Sequence, residues 1–328
     1  MMKKLLLSLV ALFGMSIVTV ALPNSTILLQ HRGNVVHYSV DSLNAALRDA
    51  VDGDTLFLSK GTYSGFTVDK KITVRGVGQE TIINGRVTVN VPDSVTLEST
   101  MLEGLYLTGY YDDKGENNGI NVIAPLNGFK IKQCYFKNLT FDKTMRDVVL
   151  DRCYCSNELS ISRKVLSLKA VNSKICRVVF NGNSSPDITF INSNILTFRE
   201  FENFRGTCLN SITGYGRSGS QVSFRSCNFI NSLVCTYRLT IEGTCYKENC
   251  WQEDSSTKTI SDYTLNCMYS DEELMEKGYI GNDGTVIGCN GGTTPYTLKL
   301  AVPMVTESDV KLDAEKRELN VKLTLTAN

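Results

Sequence analysis

FKIKQCYFKNLT (residues 129–140) is followed by VVLDRCYCSNEL (residues 148–159), and the two segments share one pattern. In each, apolar residues two positions apart precede a cysteine, and an asparagine stands four positions after that cysteine. Similar spellings occur in CNFIN (227–231) and CYKEN (245–249). Because residues two apart share one face of a β-strand, the pattern predicts short strands in a repeated structural unit.

The apolar pair recurs along the middle of the chain. Its second residue falls at Ile131, Leu150, Leu168, Phe190, Phe224 and Ile241. The steps are 19, 18, 22, 34 and 17 residues, and the long step leaves open an extra coil or an insertion around residues 198–220. A period near 20 built from strands is typical of a solenoid, whose stacked coils bury one continuous apolar column.

We therefore predict an all-β fold, a right-handed parallel β-helix. A sandwich or an antiparallel barrel is the alternative, and Asn84-Gly85 is a hairpin signal in its favour. An exposed last coil would template aggregation, so both ends need caps. The predicted divisions are a signal peptide at 1–21, a lead-in and N-terminal capping helix at 22–52, the parallel β-helix at 53–250, and a C-terminal cap with a β-hairpin at 251–328.

The signal peptide is predicted from Lys3 and Lys4, the apolar run at 5–20 and the small residues before Leu22. A membrane anchor is the alternative, but the run is short for a span, and we expect no transmembrane segment in the mature chain. The mature protein is expected in the periplasm, at the cell surface or outside the cell. With a formal charge of zero and a pI near 6.7, we expect no nucleic-acid partner.

The stretch SLNAALRDAVDGDTLFLSKGTYSGFTVDKKITVRGVGQETIING (42–85) resembles the entry of β-helix proteins of the pectate-lyase-like superfamily. Those proteins open with a capping helix, a Gly-Asp-Thr turn and a Gly-Thr-Tyr turn. The segment NDGTVIGCNGGTTPY (282–296) is similar to one that closes secreted β-helix proteins of Gram-negative bacteria. The resemblance implies a fold but no particular chemistry, because the superfamily holds lyases, hydrolases, epimerases and non-catalytic members.

Eleven cysteines are present, an odd number. In the predicted register Cys134, Cys153 and Cys227 occupy one inward position, which Val171 and Ser193 fill elsewhere, so we interpret it as a small core position. Stacked free thiols are favoured there over a disulfide, and the spacing does not suit zinc. In CYKEN (245–249), the cysteine lies one residue away from this predicted inward position. Disulfides fit better in turns or in the cap, at Cys208, Cys235, Cys245, Cys250, Cys267 and Cys289.

Asparagines that recur after the cysteines predict a ladder of stacked amides along the solenoid. The members expected at one position are Asn138, Asn157 and Asn231. This interpretation is structural and assigns them no ligand.

Outward residues are the candidates for function. One charged column is predicted to hold Lys132, Asp151, Lys169, Arg225 and Glu242. Tyr135 over Tyr154, with Lys130 beside them, could bind carbohydrate; an ordinary aromatic ladder is the alternative reading. The only histidines, His31 and His37, precede the β-region, which disfavours a histidine-dependent hydrolase.

A polysaccharide lyase would need a base for the proton beside a uronate carboxylate and a cation to neutralise that carboxylate. Lys132, Arg152, Lys169 and Tyr154 could serve in such a centre. Asp112, Asp113 and Glu116 could hold Ca²⁺, although a solvated loop reads equally well. Without lyase activity we expect no cofactor.

Two functional hypotheses follow. The first is a secreted, non-catalytic β-helix protein that binds or displays at glycan-rich surfaces, with a polysaccharide or cell-surface glycan as partner. The second is a polysaccharide lyase that cleaves a uronate-containing glycan by β-elimination. A groove lined by Lys132, Arg152 and Lys169 would favour the lyase, and pairing of these residues on a flat sheet would favour the first.

Overall fold

The structure is a computed structural model. It describes residues 26–91, 100–108, 119–162, 164–181, 187–199, 205–214, 222–224, 226–235, 239–241, 245–253, 269–299, 303–313 and 318–327. The predicted signal peptide (1–21), the acidic loop with Asp112, Asp113 and Glu116, and the outward candidates Arg225 and Glu242 lie outside the described residues.

The described residues form two short α-helices, α1 (Leu43–Asp49) and α2 (Asp271–Glu276), and many short strands. The first strands are β1 (Thr26–His31), β2 (Asn34–Ser39), β3 (Thr55–Leu58), β4 (Gly61–Val68), β5 (Thr73–Arg75), β6 (Thr81–Val89), β7 (Met101–Glu103), β8 (Tyr106–Leu107), β9 (Gly119–Val122), β10 (Leu126–Asn127), β11 (Lys130–Lys132), β12 (Tyr135–Phe141), β13 (Met145–Arg146), β14 (Val148–Asp151) and β15 (Tyr154–Ser162). The remaining strands are β16 (Ser167–Val171), β17 (Lys174–Asn181), β18 (Asp187–Ile191), β19 (Asn194–Arg199), β20 (Arg205–Leu209), β21 (Ile212–Thr213), β22 (Val222–Phe224), β23 (Ser226–Ile230), β24 (Leu233–Cys235), β25 (Leu239–Ile241), β26 (Tyr246–Glu248), β27 (Trp251–Glu253), β28 (Pro303–Asp313) and β29 (Glu318–Ala327).

The strands stack as a parallel β-solenoid with two long sheets. In the first sheet the order is β2-β1-β3-β5-β7-β11-β14-β16-β18-β20-β23-β26, and from β3 onward every neighbouring pair is parallel. The second sheet runs in chain order from β4 to β27, with β9 joined to β6 and β12. Spatial order that follows chain order in both sheets confirms the predicted β-helix architecture and excludes the sandwich.

The register in the first sheet is more regular than the sequence pattern suggested. Ile131 pairs with Leu150, as predicted, and the column then continues through Ala170, Phe190, Cys208 and Phe229. The steps are therefore 19, 20, 20, 18 and 21 residues. The chain around 198–220 contributes an extra coil, through β20 and β21.

Three of the predicted column members, Leu168, Phe224 and Ile241, were wrong. Ala170, not Leu168, is the equivalent of Leu150; Leu166, which the predicted pair included, is exposed. The apolar side chain of alanine is too small to stand out in a hydrophobic pattern, which explains the error. Phe224 does pair with Ile241, but in a separate two-stranded sheet formed by β22 and β25.

The corner between the two sheets carries the clearest repeat. Its first residue adopts a positive φ in successive coils, at Gly104, Gln133, Arg152, Asn172, Asn192, Asn210, Asn231 and Asn249. Glycine and asparagine adopt this left-handed conformation more readily than other residues. Asn231 is therefore a corner residue, not a ladder member, whereas Asn157 Nδ2 does donate to Asn138 Oδ1 at 2.7 Å, as the ladder predicts.

From Gln133 onward, the residue after the corner points inward and forms a polar ladder, which is buried up to Ser232. Successive coils place Cys134, Cys153, Ser173, Ser193, Ser211, Ser232 and Cys250 in this position. The backbone N–H of Ser173 donates to Ser193 Oγ at 3.2 Å, and that of Ser193 donates to Ser211 Oγ at 3.1 Å. The position therefore needs a small side chain that can also bond to the backbone.

The prediction that Val171 and Cys227 share this position was wrong. Val171 points outward, two residues before Ser173, and Cys227 lies in the first sheet, opposite Gly206. CNFIN and CYKEN are in step with each other, because Asn228 pairs with Tyr246. The cysteines of the four similar sequence motifs thus belong to two different columns of the solenoid.

Cys134 and Cys153 are free thiols, which confirms the prediction. Cys208 and Cys250 are also free, so the disulfides expected at these two positions were wrong; the side chains of Cys235 and Cys267 lie outside the described part. Burial raises the pKa of the Cys134 thiol to about 12 and that of the Cys153 thiol well above its ordinary value. These two thiols are therefore protonated core groups.

The N-terminal lead-in is more ordered than expected. β1 and β2 form an antiparallel hairpin, and β1 also pairs antiparallel with β3, the first strand of the solenoid. The predicted helix is present as α1, which packs against β1, β2 and β4 and buries Leu43, Ala46 and Leu47. The start of the solenoid is thus covered by the helix on one side and extended by the hairpin on the other.

The predicted hairpin near the end of the chain is also present, since β28 pairs antiparallel with β29 and Asp313 faces Glu318. Residues 281–299, named here the C-terminal segment, lie along the corner of the solenoid. Asn210 Nδ2 donates to Asn282 Oδ1 at 2.9 Å, Asn172 Nδ2 to Gly291 O at 2.6 Å, and Gln133 Nε2 to Lys299 O at 3.0 Å. The segment therefore runs back towards the N-terminal coils.

Candidate functional site

Three charged residues form an ion-pair chain on the outer face of the first sheet. Glu103 lies between Arg75 and Lys132 on neighbouring strands. Lys132 Nζ is 2.8 Å from Glu103 Oε1, and Arg75 Nε is 2.5 Å from Glu103 Oε2. Burial alone would raise the pKa of Glu103, but the hydrogen bonds and charges of Lys132 and Arg75 outweigh it and hold that pKa below its ordinary value. Lys132 thus forms a salt bridge with Glu103 that has a structural role.

Replacing Glu103 by glutamine is expected to lower the free energy of unfolding by about 1–2 kcal/mol at neutral pH, because the charge-assisted bonds are lost. The folded-state pKa is depressed, so the ionised carboxylate stabilises the fold above its ordinary pKa of 4.5 and loses that effect as the pH falls further. Urea unfolding at a series of pH values would measure the difference.

The control is Glu158→Gln, which removes a half-exposed pair with Arg177 at 3.6 Å and is expected to cost less than about 1 kcal/mol. Equal losses in the two variants, or a loss from Glu103→Gln that persists unchanged in acid, would contradict a stabilising ion-pair chain.

The other basic candidates do not join Lys132 in a groove. Arg152 lies at the left-handed corner, and its guanidinium bonds to both oxygens of Asp151, at 3.1 and 2.9 Å. Lys169 pairs with Val149 and not with Asp151, so the predicted charged column was wrong at this coil. Lys169 shares its column with Lys130 instead, two coils away.

The predicted tyrosines form an aromatic ladder on the second sheet, and Tyr106 is an additional member. The rings of Tyr106 and Tyr135 are stacked, with centroids 4.4 Å apart, and Tyr135 meets Tyr154 edge to face at 5.2 Å. Burial, with nearby Tyr135, raises the pKa of Tyr154 to about 12. At neutral pH the phenol is therefore protonated and is a weak base.

Beyond Tyr154 the same outward column continues with Lys174, Asn194, Ile212, Leu233 and Trp251. The C-terminal part of the chain packs on this stretch of the second sheet. Leu274 of α2, Tyr279 and Ile287 form a second hydrophobic cluster with Ile212 and Leu233. This cluster fixes α2 and the C-terminal segment against the sheet.

A cleft of about 410 Å³ remains between α2, the C-terminal segment and the second sheet. We call it the α2 cleft. Its polar lining comes from Lys174 and Asn194 on the sheet, from Ser270, Asp271 and Glu272 at the start of α2, and from Asn290. Tyr269, Ile287 and the thiol of Cys289 line its less polar parts.

The polar groups of the α2 cleft are held in place by the chain itself. Asn290 Nδ2 donates to both oxygens of Asp271, at 3.1 and 3.0 Å. Asn194 Oδ1 accepts the backbone N–H of Cys289 at 3.0 Å. Lys174 Nζ lies 4.7 Å from the ring centroid of Tyr296, and no carboxylate forms a salt bridge with it in the described part of the chain. Among the described residues, the cleft is therefore a preformed polar site whose one cation forms no salt bridge, although Asp271 and Glu272 line the same cleft.

No metal centre emerges from the ranges that the structure describes, because they contain no cluster of three His, Cys, Asp or Glu. The calcium candidates Asp112, Asp113 and Glu116 lie outside those ranges and stay a prediction. Neither α1 nor α2 is long and apolar enough to span a bilayer.

No family model, curated protein or solved structure matches the chain.

Sequence reasoning missed the α2 cleft for two reasons. The Asn-Ser pairs at 172–173 and 192–193 carry the correct register and would have placed Lys174 and Asn194 in the column of Tyr135 and Tyr154. The contributions of Asp271 and Asn290 had no such signal, because nothing in a local pattern indicates where a non-repetitive segment packs.

Proposed function

We propose that this chain is an exported, non-catalytic β-solenoid protein that binds an acidic glycan, and that the α2 cleft is its glycan site. The single observation that carries the proposal is the combination, in one preformed cleft, of Lys174, which forms no salt bridge in the described part of the chain, with the side chains of Asn194, Asp271 and Asn290. A uronate-containing glycan offers the matching groups, a carboxylate and several hydroxyls.

The chemistry of each group fits such a ligand. The ammonium of Lys174 would pair with a uronate carboxylate as a charge-assisted bond. Asp271 accepts hydrogen bonds, and Asn194 and Asn290 have amides that donate and accept, so together they suit neighbouring hydroxyls. Because Asn290 is bonded to Asp271, and Asn194 to the backbone of Cys289, these three side chains lose little conformational entropy when the ligand binds.

Non-catalytic binding is favoured over the lyase by the state of the candidate bases. Lys132 and Arg152 are held by Glu103 and Asp151, and the raised pKa of Tyr154 keeps its phenol protonated. A general base must be deprotonated and within reach of the substrate proton. Membership of the pectate-lyase-like superfamily remains part of the proposal and rests on the resemblance of residues 42–85, with that of residues 282–296 in support.

Binding of the mature chain (22–328) to polygalacturonate, alginate and hyaluronate fragments would test the site, with affinity measured by calorimetry. Lys174→Ala is expected to weaken binding about tenfold, the loss of about 1.4 kcal/mol that one charge-assisted bond contributes. Lys169→Ala is the control, because Lys169 is exposed on the other sheet, and it should bind as the unmodified protein does.

Three results would overturn the proposal. These are no binding to any acidic glycan, binding that Lys174→Ala leaves unchanged, and a rise in ultraviolet absorbance from unsaturated uronate, which would report a lyase. Export is tested separately, by fractionating cells that express the chain with and without residues 1–21. Retention of the full chain in the cytoplasm would contradict it.

A further inference from the structure

The first sheet ends in an edge strand that lacks the usual protection. β2 pairs only with β1 in the described part of the chain, so its outer row of backbone N–H and C=O groups is open. Its sequence, NVVHYS, contains no proline and no Lys, Arg, Asp or Glu. Such edges pair readily with another strand, and natural proteins normally blunt them with charge, proline or a cover.

The other sheet ends are treated differently. At the same end of the solenoid, α1 packs on β4, the first strand of the second sheet; it also contacts β1 and β2, but no described strand lies along the outer side of β2. At the opposite end, the edge strand β26 is only three residues long and exposes Lys247 and Glu248. The bare edge of β2 is therefore a local feature of this chain and not a general property of its solenoid.

Apolar side chains accompany the open edge. Val35 and Val36 are 42% and 46% exposed, on opposite faces of β2. Val36 pairs with the buried Leu29, so it extends the apolar inner face of the solenoid to the point where the sheet stops. A further strand beside β2 would shield Val36 and satisfy the backbone groups together.

We propose that β2 is a self-association surface, on which β2 of a second copy pairs antiparallel about a two-fold axis. A two-fold axis perpendicular to the sheet places the inner faces of the two copies on the same side. This requires that the sequence numbers of two paired residues add up to an even number. The register centred on Val36 meets this condition. It pairs Val36 with its own copy, Val35 with His37 and Asn34 with Tyr38, so that both valines are covered.

Charge favours this occupant, because β2 contains no Lys, Arg, Asp or Glu, so two copies of it meet without like-charge repulsion. A head-to-tail pairing would instead place the exposed Lys247 and Glu248 of β26 against the valines, so the assembly closes as a dimer and does not grow.

Sedimentation of the mature protein across a range of concentrations tests the proposal. We expect a reversible dimer, and Val36→Lys should raise its dissociation constant at least about 30-fold, because two lysines would meet across the axis without water. Tyr246→Lys is the matched control: it introduces the same residue at an exposed position on the opposite edge strand and should leave the dimer unchanged. Thermal unfolding would show that both variants fold.

Oxidation of Val36→Cys identifies the register. Paired residues in an antiparallel ladder have Cα atoms about 4.5–5.5 Å apart, within the range of a disulfide. Covalent dimers should form from Val36→Cys and not from Tyr246→Cys or the unmodified protein. A monomer at every concentration, a dimer that Val36→Lys leaves intact, or larger assemblies that Tyr246→Lys dissolves would each overturn the proposal.

Discussion

Replacing Ser193 by alanine is expected to lower the free energy of unfolding by about 2–4 kcal/mol, although it removes only one oxygen atom. Ser193 Oγ accepts the backbone N–H of Ser173 at 3.2 Å and donates to Ile191 O at 2.8 Å, in a fully buried position. Alanine can make neither bond, and each buried group left without a partner costs about 1–3 kcal/mol. Urea unfolding followed by circular dichroism would measure the loss.

Thr189→Val is the matched control for this substitution. It likewise removes one hydroxyl in the same coil, but Thr189 lies on the outer face of β18, where water can satisfy its neighbours. We expect a change within about 0.5 kcal/mol. Similar losses in both variants would mean that the hydroxyl is no more important inside the solenoid than outside it.

Replacing Asn172 by alanine is expected to cost about 2–4 kcal/mol, through two separable effects. Asn172 has a φ of 46°, which alanine tolerates less well, and its amide donates to the carbonyls of Cys289 and Gly291. The first effect contributes about 1–2 kcal/mol, and the loss of the buried bonds contributes the rest. Unfolding in urea would give the total.

Two further variants divide that total. Asn172→Gly keeps the left-handed backbone and removes only the bonds to the C-terminal segment, so it should lose about 1–2 kcal/mol. Asn231→Ala tests the backbone effect at another corner with a φ of 43°. If Asn172→Gly were as stable as the unmodified protein, these bonds would not hold the C-terminal segment against the solenoid.

The sequence predicted the architecture because a solenoid repeats locally. The pairings of Ile131 with Leu150 and of Tyr135 with Tyr154 follow directly from the repeated apolar pattern. The prediction lost the register where an inward residue was alanine, since Ala170 contributes little to a hydrophobic pattern although it is fully buried. The polar Asn-Ser corner would have been the better guide.

At the candidate site, too, the sequence pattern predicted which residues share a face but not which of them make contact. Alternation along a strand correctly placed Tyr135 and Tyr154 on one outward column, but it could not show that the ring of Tyr135 stacks on that of Tyr106. Lys132 and Arg152 were predicted as surface cations, and their partners turned out to be Glu103 and Asp151. The sequence pattern predicts which charged residues are neighbours, but only the three-dimensional geometry shows which of them form ion pairs.

By itself the sequence determined the coil length, the inward and outward faces, the capping helix and the terminal hairpin, because each depends on residues close together in the chain or repeated at a fixed spacing. Only the tertiary structure decided where residues 281–299 pack, that α2 encloses a cleft with Lys174, and that β2 is left as an open edge. These features join segments about a hundred residues apart or depend on what lies beside a strand, and no local pattern encodes either.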